Sequence, residues 1–476
     1  MSAVLIWIIF PGIVSIILFF FRKWERTVLI VGLAAALMLT WFAWQLPIGE
    51  PIAVRLWRGL PALRITQSMR ILDVFFNLDN TTRILLLAIY ANLAFWLGGV
   101  FSSKTNSLFT PLAFGSSAII AALVAIEPSY FAPLVLFFVA LICVPILSAP
   151  GEKINRGVFR FLIYQGVGTS LLFLMNIASL SIKPETIPIN SPSPITLLTV
   201  IALALTLAVF PFHTWIPAIA EKTNPYTSSF VFLSYSMAAL FLLLRILSEM
   251  QAAVISQAAI TGLVYLGVFM VFIAGILACV EKNAGRILGF AVISQVGIKL
   301  LVLGMAVNTD IAQLTGTYLA LLITQNLSMA VWALALSRLF MVNKDTSFSH
   351  LQGLGRKFPF AVAGLIIGSL SLAGLPILAN FPIVFQVLSG FSSEFSSLPL
   401  FWTIGNILFV FACFRTLVRL LAPSENAEGG HPENRFDSVI LSSGMILIFL
   451  LGLFPQWMIN LVNELIVSIS AISEAQ

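Results

Sequence analysis

Residues 194–217 read PITLLTVIALALTLAVFPFHTWIP. The 17 positions up to Phe210 carry no charge, and Pro211 and Pro217 then interrupt the run, with His213 between them. About 20 apolar residues are what a helix needs to cross the hydrocarbon core of a bilayer. Each proline removes a backbone donor and blocks the helical bond that would pass it. Backbone released in this way inside a membrane has to be buried in protein or line a wet cavity. The segment Gly374-Leu375-Pro376-Ile377-Leu378-Ala379-Asn380-Phe381-Pro382 repeats the pattern in the other half of the chain. Two interrupted spans in corresponding places point to paired structural repeats with an ion path at the breaks. The alternative is a pair of proline-kinked packing helices.

Composition agrees with a membrane reading. Of 476 residues, 59% are hydrophobic and 9% are charged, against about 25% charged in soluble domains. This excludes a soluble enzyme, a disordered chain and a coiled coil. Continuous rather than alternating apolar runs exclude a barrel. Runs of spanning length fall at 3–21, 27–46, 81–102, 107–127, 130–148, 157–181, 194–211, 226–248, 256–280, 285–306, 312–340, 358–392, 398–422 and 437–467. The expectation is an all-α polytopic bundle of about 14 helices forming a single membrane domain over 1–476. The 358–392 run is too long for one helix and is expected to break at Gly374–Pro382. The one sizeable extramembrane loop is 47–80.

The net charge of +6 is loop charge that sets orientation, not a nucleic-acid footprint. With the N-terminus outside, the inside loops carry 15 Lys and Arg and the outside loops five, the other five lying within or at the ends of spans. That asymmetry favours both termini outside. No cleavable leader is expected, because Arg22, Lys23 and Arg26 follow the first apolar run instead of preceding it. Cys143, Cys279 and Cys413 lie in separate apolar runs, and His213, His350 and His431 are far apart. No iron–sulfur, disulfide or metal-ligand spacing results. No P-loop or dinucleotide loop is present, so no cofactor is expected and no electron transfer within this chain.

The stretch Pro211 to Pro217, with Arg245 28 residues after Pro217, resembles the hallmark of the antiporter-like membrane subunits of respiratory complex I. Those subunits are related to Mrp-type cation/proton antiporters and membrane-bound hydrogenases. Leu78-Asp79-Asn80, Phe161-Leu162-Ile163-Tyr164 with Gly168-Thr169-Ser170, Arg286 with Ser294-Gln295-Val296-Gly297, and Leu372 to Phe385 are similar to further motifs of that family. The similarity covers roughly 75–425. The resemblance implies two inverted five-helix repeats, here 107–248 and 256–422, and proton movement through buried Glu and Lys coupled to quinone chemistry in another subunit. It also implies other membrane subunits of a complex I-like assembly as partners, in a bacterial plasma membrane or other energy-transducing membrane.

At the positions the resemblance assigns to ionisable residues, this chain is neutral. Ala140 stands five residues before Pro145 where the family has Glu, Met237 eight residues before Arg245 where it has Lys, Gln295 and Gln325 where it has His, and Val384 where it has Glu. A channel of its own is therefore degenerate in composition.

The ionisable groups that remain inside the spans need a reason, since a charge there costs about 2.5–3.5 kcal/mol or more. Lys299 lies mid-run, and Gln295 four residues earlier shares its helical face. A lysine so placed can line a polar path and exchange protons, or form a structural salt bridge with a neighbouring subunit. His213 in the first break can relay protons or fix the turn by a hydrogen bond. Glu221 and Lys222 follow Pro217 at a cavity mouth or as a solvated loop pair. Arg245 ends a span, where a structural role competes with a place on the path. The segment Ser424 to Asp437 reads as a polar connector or docking surface. The functional expectation is a membrane-arm subunit of a redox-driven proton translocase of the NADH/quinone oxidoreductase type. The alternatives are a subunit of a Mrp-type antiporter or inorganic-carbon uptake system, or a structural scaffold.

Overall fold

The computed structural model describes residues 2–49, 51–52, 63–71, 73–80, 82–148, 151, 155–180, 194–249, 257–306, 311–391, 397–423 and 434–474. The chain is a helical membrane bundle. A short π turn leads into α1 (Phe10–Phe20), and α2 (Glu25–Gln45) returns antiparallel to it. Then come α3 (Thr82–Ser103), α4 (Phe109–Ala125), α5 (Ala132–Leu147), α6 (Arg156–Leu180), and the interrupted pair α7 (Pro194–Thr206) and α8 (Trp215–Lys222), followed by α9 (Pro225–Glu249). The second half holds α10 (Gln257–Val280), α11 (Ala284–Ala306), α12 (Ile311–Asn343), the short α13 (Phe348–Leu351), the interrupted pair α14 (Pro359–Leu372) and α15 (Phe381–Ser389), and α16 (Leu398–Leu421). The chain finishes with α17 (Arg435–Leu453) and α18 (Pro455–Glu474). Among the described residues, ten helices are long and apolar enough to cross a membrane, and four shorter apolar helices accompany them.

The two breaks lie where the prolines place them. In the second, Gly374 and Ile377 both take positive φ (74° each), and Gly452 on α17 lets the backbone come close. A Cβ on Gly452 would lie 2.1 Å from the Ile377 carbonyl oxygen. The 437–467 run is a correction: it is two helices, because Pro455 ends α17 and starts α18. The loop before α3 carries an antiparallel ribbon, β1 (Ser68–Ile71) with β2 (Val74–Asn77), extended by β3 (Ile126–Glu127) from the end of α4.

Two sets of helix ends are tied together. On one face, Asn224 before α9 donates to the Ser103 carbonyl at the end of α3 (3.1 Å), and Ser337 near the end of α12 donates to Asn224 Oδ1 (2.8 Å). On the other face, Asp79 and Thr82 cap α3 reciprocally, Thr82 N–H reaching Asp79 Oδ1 at 2.8 Å and Asp79 N–H reaching Thr82 Oγ1 at 3.0 Å. Buried Arg83 then donates to the carbonyls of Ala43 (3.2 Å) and Trp44 (2.6 Å), which α2 leaves open at its C-terminus.

Helix packing is close where small residues allow it, as membrane interfaces require. A Cβ on Gly267 would lie 2.5 Å from the Gly297 carbonyl, joining α10 to α11, and one on Gly275 would lie 2.0 Å from the Gly405 carbonyl, joining α10 to α16. The centre of the bundle is α9, α11 and α12, whose apolar windows are 89%, 100% and 89% buried, whereas those of α2 and α17 are 33% and 22% buried. Both interrupted pairs have a long helix packed on them: α6 on α7 and α8, and α12 on α14 and α15.

Candidate ion path

Lys299 sits on α11, the helix enclosed on every side, and is 1% exposed. Its own chain covers it. A carboxylate on a neighbouring subunit therefore has no surface through which to reach it, which removes the inter-subunit salt bridge raised by the sequence. Among the described residues, no carboxylate pairs with its ammonium group. One turn earlier, buried Gln295 donates from Nε2 to the Leu372 carbonyl (3.1 Å), the last residue of α14 before the break. The lysine helix thus touches the second interruption directly.

That interruption is wrapped by neutral polar groups from α12. Thr324 Oγ1 donates to Asn380 Oδ1 (2.5 Å), and the hydroxyls of Ser328 and Ser371 meet at 2.7 Å. Four further polar atoms are buried without a protein partner: Gln295 Oε1, both amide atoms of Gln325, and Asn380 Nδ2. Buried polar atoms of this kind are normally satisfied by ordered water. The seam can therefore bind and orient water next to a lysine, but it contains no carboxylate among the described residues.

The first interruption is different. His213 is 8% exposed in the turn Phe212–Thr214, with its ring stacked on Phe210 and centroids 5.1 Å apart. Beside it, α8 lies so close to α11 that a Cβ on Gly289 would be 2.9 Å from Pro217 Cα. The buried polar groups of this half include Tyr235 donating to Gln165 Oε1 at 2.5 Å, Thr169 donating to the Gln165 carbonyl at 2.6 Å, and Asn92 donating to Ser234 at 3.1 Å, while Asn92 Oδ1, Gln165 Nε2, Trp215 Nε1 and Ser229 Oγ are buried without a protein partner. Sequence reasoning passed over Gln165 and Tyr235. The signal was available, since Gln165 falls between the quoted Tyr164 and Gly168.

The three apolar replacements are buried. Ala140 is fully buried in α5. Met237 faces a cavity of about 450 Å³ whose walls include Leu87, Phe95, Leu322 and Leu451, with Asn92 and Asn326 as its polar members. Val384 packs on the turn at Gly374, where an added Cβ would meet its side chain at 3.1 Å.

The remaining candidates lie at helix ends. Glu221 and Lys222 occupy the last turn of α8, not a loop. Their side chains meet at 3.1 Å, and Arg286 reaches Glu281 at 2.9 Å and Glu221 at 3.8 Å, so the group ties α8 to the junction of α10 and α11. At this exposure such pairs contribute little, about 0–1 kcal/mol. Arg245 donates to the carbonyls of Leu123 (3.3 Å) and Val124 (3.2 Å) at the C-terminus of α4. Asp437, expected in a polar connector, is 4% exposed in the first turn of α17. It pairs with Arg338 near the end of α12, and Ser102 bridges the two, donating to Asp437 at 2.5 Å and accepting from Arg338 at 2.6 Å. Residues 424–433 of that connector lie outside the described residues.

A family profile described as NADH:quinone oxidoreductase/Mrp antiporter, TM, matches residues 158–417, more than half of the chain, including both interruptions and Lys299. The chain belongs to that family. A relative named NADH-quinone oxidoreductase subunit N 2, from Herpetosiphon aurantiacus, is 27% identical over 64% of this chain and 58% of its own length. The chain thus spans less than two thirds of that relative. Another, NAD(P)H-quinone oxidoreductase subunit 2 of Gloeothece citriformis, is 22% identical over 95% of this chain and 90% of its own. Among solved structures, a chain of the Mrp complex from Dietzia superposes with a TM-score of 0.76 at 14% identity, covering 98% of this chain and 97% of that one. A chain of respiratory complex I from Thermus thermophilus with bound NADH gives 0.72 at 17%, covering 98% of each. At these identities the structural likeness shows the fold.

Proposed function

We propose that this chain is a non-redox membrane-arm subunit of a complex I-like proton translocase, built on two inverted repeats (107–248 and 256–422), whose first-half path is closed. The observation that carries the closure is Met237: the position that the resemblance gives to lysine is an apolar side chain, and it faces a cavity whose lining, Asn92 and Asn326 apart, is apolar, so that no ionisable group is offered there. Any proton movement in this chain then depends on the second-half seam, with Lys299 as its exchanging group and Gln295, Gln325 and Asn380 holding water toward the break. His213 and the Glu221–Lys222–Arg286 group stand outside that seam and serve the packing of α8 on α11. Arg245 holds the end of α4.

A subunit of a Mrp-type antiporter or inorganic-carbon uptake system would use the same fold. The loss of ionisable residues counts against a self-sufficient antiporter. The two partner sets are separated by mild-detergent affinity purification of the tagged chain with mass spectrometry. Recovery of quinone-binding and iron–sulfur subunits is the expected result. Recovery of small Mrp-type subunits, or of no partner, would overturn the assignment to a redox-driven complex.

A further inference from the structure

A second polar site lies away from the seam, on the cation-rich face. A pocket of about 210 Å³ opens between the start of α2, the end of α3 and the start of α4. Arg26 and Lys104 supply two cations to its lining and Glu25 one anion. Asn106 is fixed by its Oδ1, which accepts the Leu108 N–H at 3.1 Å, and its buried Nδ2 is a donor with no protein partner. Lys104 takes a left-handed backbone (φ 46°) directly after α3, a position where glycine or asparagine is usual. Two helices also begin here, at Glu25 and Phe109, and present the positive ends of their dipoles.

The other wall is apolar, formed by Val28, Leu29, Val100 and Phe101. Trp24 (64% exposed) and Phe101 (42%) flank the pocket as exposed aromatics of the kind that mark the membrane–water interface. The pocket is therefore cationic on one side, greasy on the other, and at headgroup level. We infer that it holds the phosphodiester of an anionic phospholipid, with Arg26 and Lys104 on the phosphate and the lipid's glycerol and first methylenes against Val100 and Phe101. Basic pockets between spanning helices bind acidic headgroups by this combination of charge and hydrogen bonding. The apolar wall distinguishes a lipid from free phosphate, which would leave it uncovered.

The test is native mass spectrometry of the full chain, delipidated in mild detergent and then offered phosphatidylglycerol, phosphatidylcholine or inorganic phosphate. The wild type is expected to retain phosphatidylglycerol over phosphatidylcholine, and inorganic phosphate is expected not to displace it. The double variant Arg26→Gln/Lys104→Gln should bind phosphatidylglycerol roughly 30-fold more weakly, as two surface cations imply. Glu25→Gln should bind it more tightly, a gain that misfolding cannot imitate. Lys23→Gln, a nearby cation that does not line the pocket, should bind as the wild type does. Equal retention of the two lipids, equal binding by the double variant, or displacement by inorganic phosphate would overturn the inference.

Discussion

Lys299 and Asp437 are both buried charges, and their surroundings make opposite demands. Asp437 has Arg338 and Ser102 in contact, so removing its charge takes away the anion that faces a part-buried guanidinium. Asp437→Asn is expected to lower stability by about 3–5 kcal/mol, the usual cost of breaking one side of a buried pair, seen as a large fall in the melting temperature of the purified protein. Lys299 has no paired carboxylate among the described residues, so Lys299→Met should leave the melting temperature unchanged or raise it. A marked fall on Lys299→Met would show that the ammonium group has a structural partner. Lys299 was legible in the sequence because a lone charge in the middle of an apolar run has no ordinary explanation. Asp437 was hidden. It follows a polar stretch with the same composition, and only the fold brings Arg338 to it.

At the scale of elements, prolines decided most of what could be read. The breaks at Pro211 and Pro376 and their flanking apolar runs were visible because proline removes a backbone bond wherever it falls. The division at Pro455 obeys the same rule and was missed, since the run on either side stays apolar. The ribbon before α3 was not legible at all, because strands of two to four residues are too short to show alternation. What the sequence could not show is how the second break is held. Gly452 admits the Ile377 carbonyl against α17. Gly452→Ala should therefore destabilise by about 1–3 kcal/mol, the cost of overpacking a filled contact, and shift the break next to Gln295 and Asn380. Gly12→Ala, where nothing lies within 4 Å of the added Cβ, is the control and should have no such effect. Equal behaviour of the two variants in thermal unfolding would contradict this account of the break.

At the scale of the molecule, the charge pattern and the fold address the same question from two directions. The tied helix ends divide the bundle into a face with Ser103, Asn224 and Arg338 and a face with Arg83, Arg245 and the ribbon. The excess of Lys and Arg belongs to the first, which the positive-inside rule places at the cytoplasm. Membrane-impermeant thiol labelling in intact cells should modify Asp73→Cys and spare Lys23→Cys, and the reverse pattern would invert the orientation.

The asymmetry between the halves is the larger consequence. In the first half, Met237 faces a mostly apolar cavity, while the second half sets Lys299 beside a seam of buried polar atoms that can bind water. The most direct measurement is proton translocation by the intact complex, reconstituted in liposomes, with and without Lys299→Met. A drop in protons moved per turnover, with subunit composition unchanged, is the predicted result. Undiminished translocation by a fully assembled Lys299→Met complex would contradict the assignment of Lys299 as the proton-exchanging group of this chain.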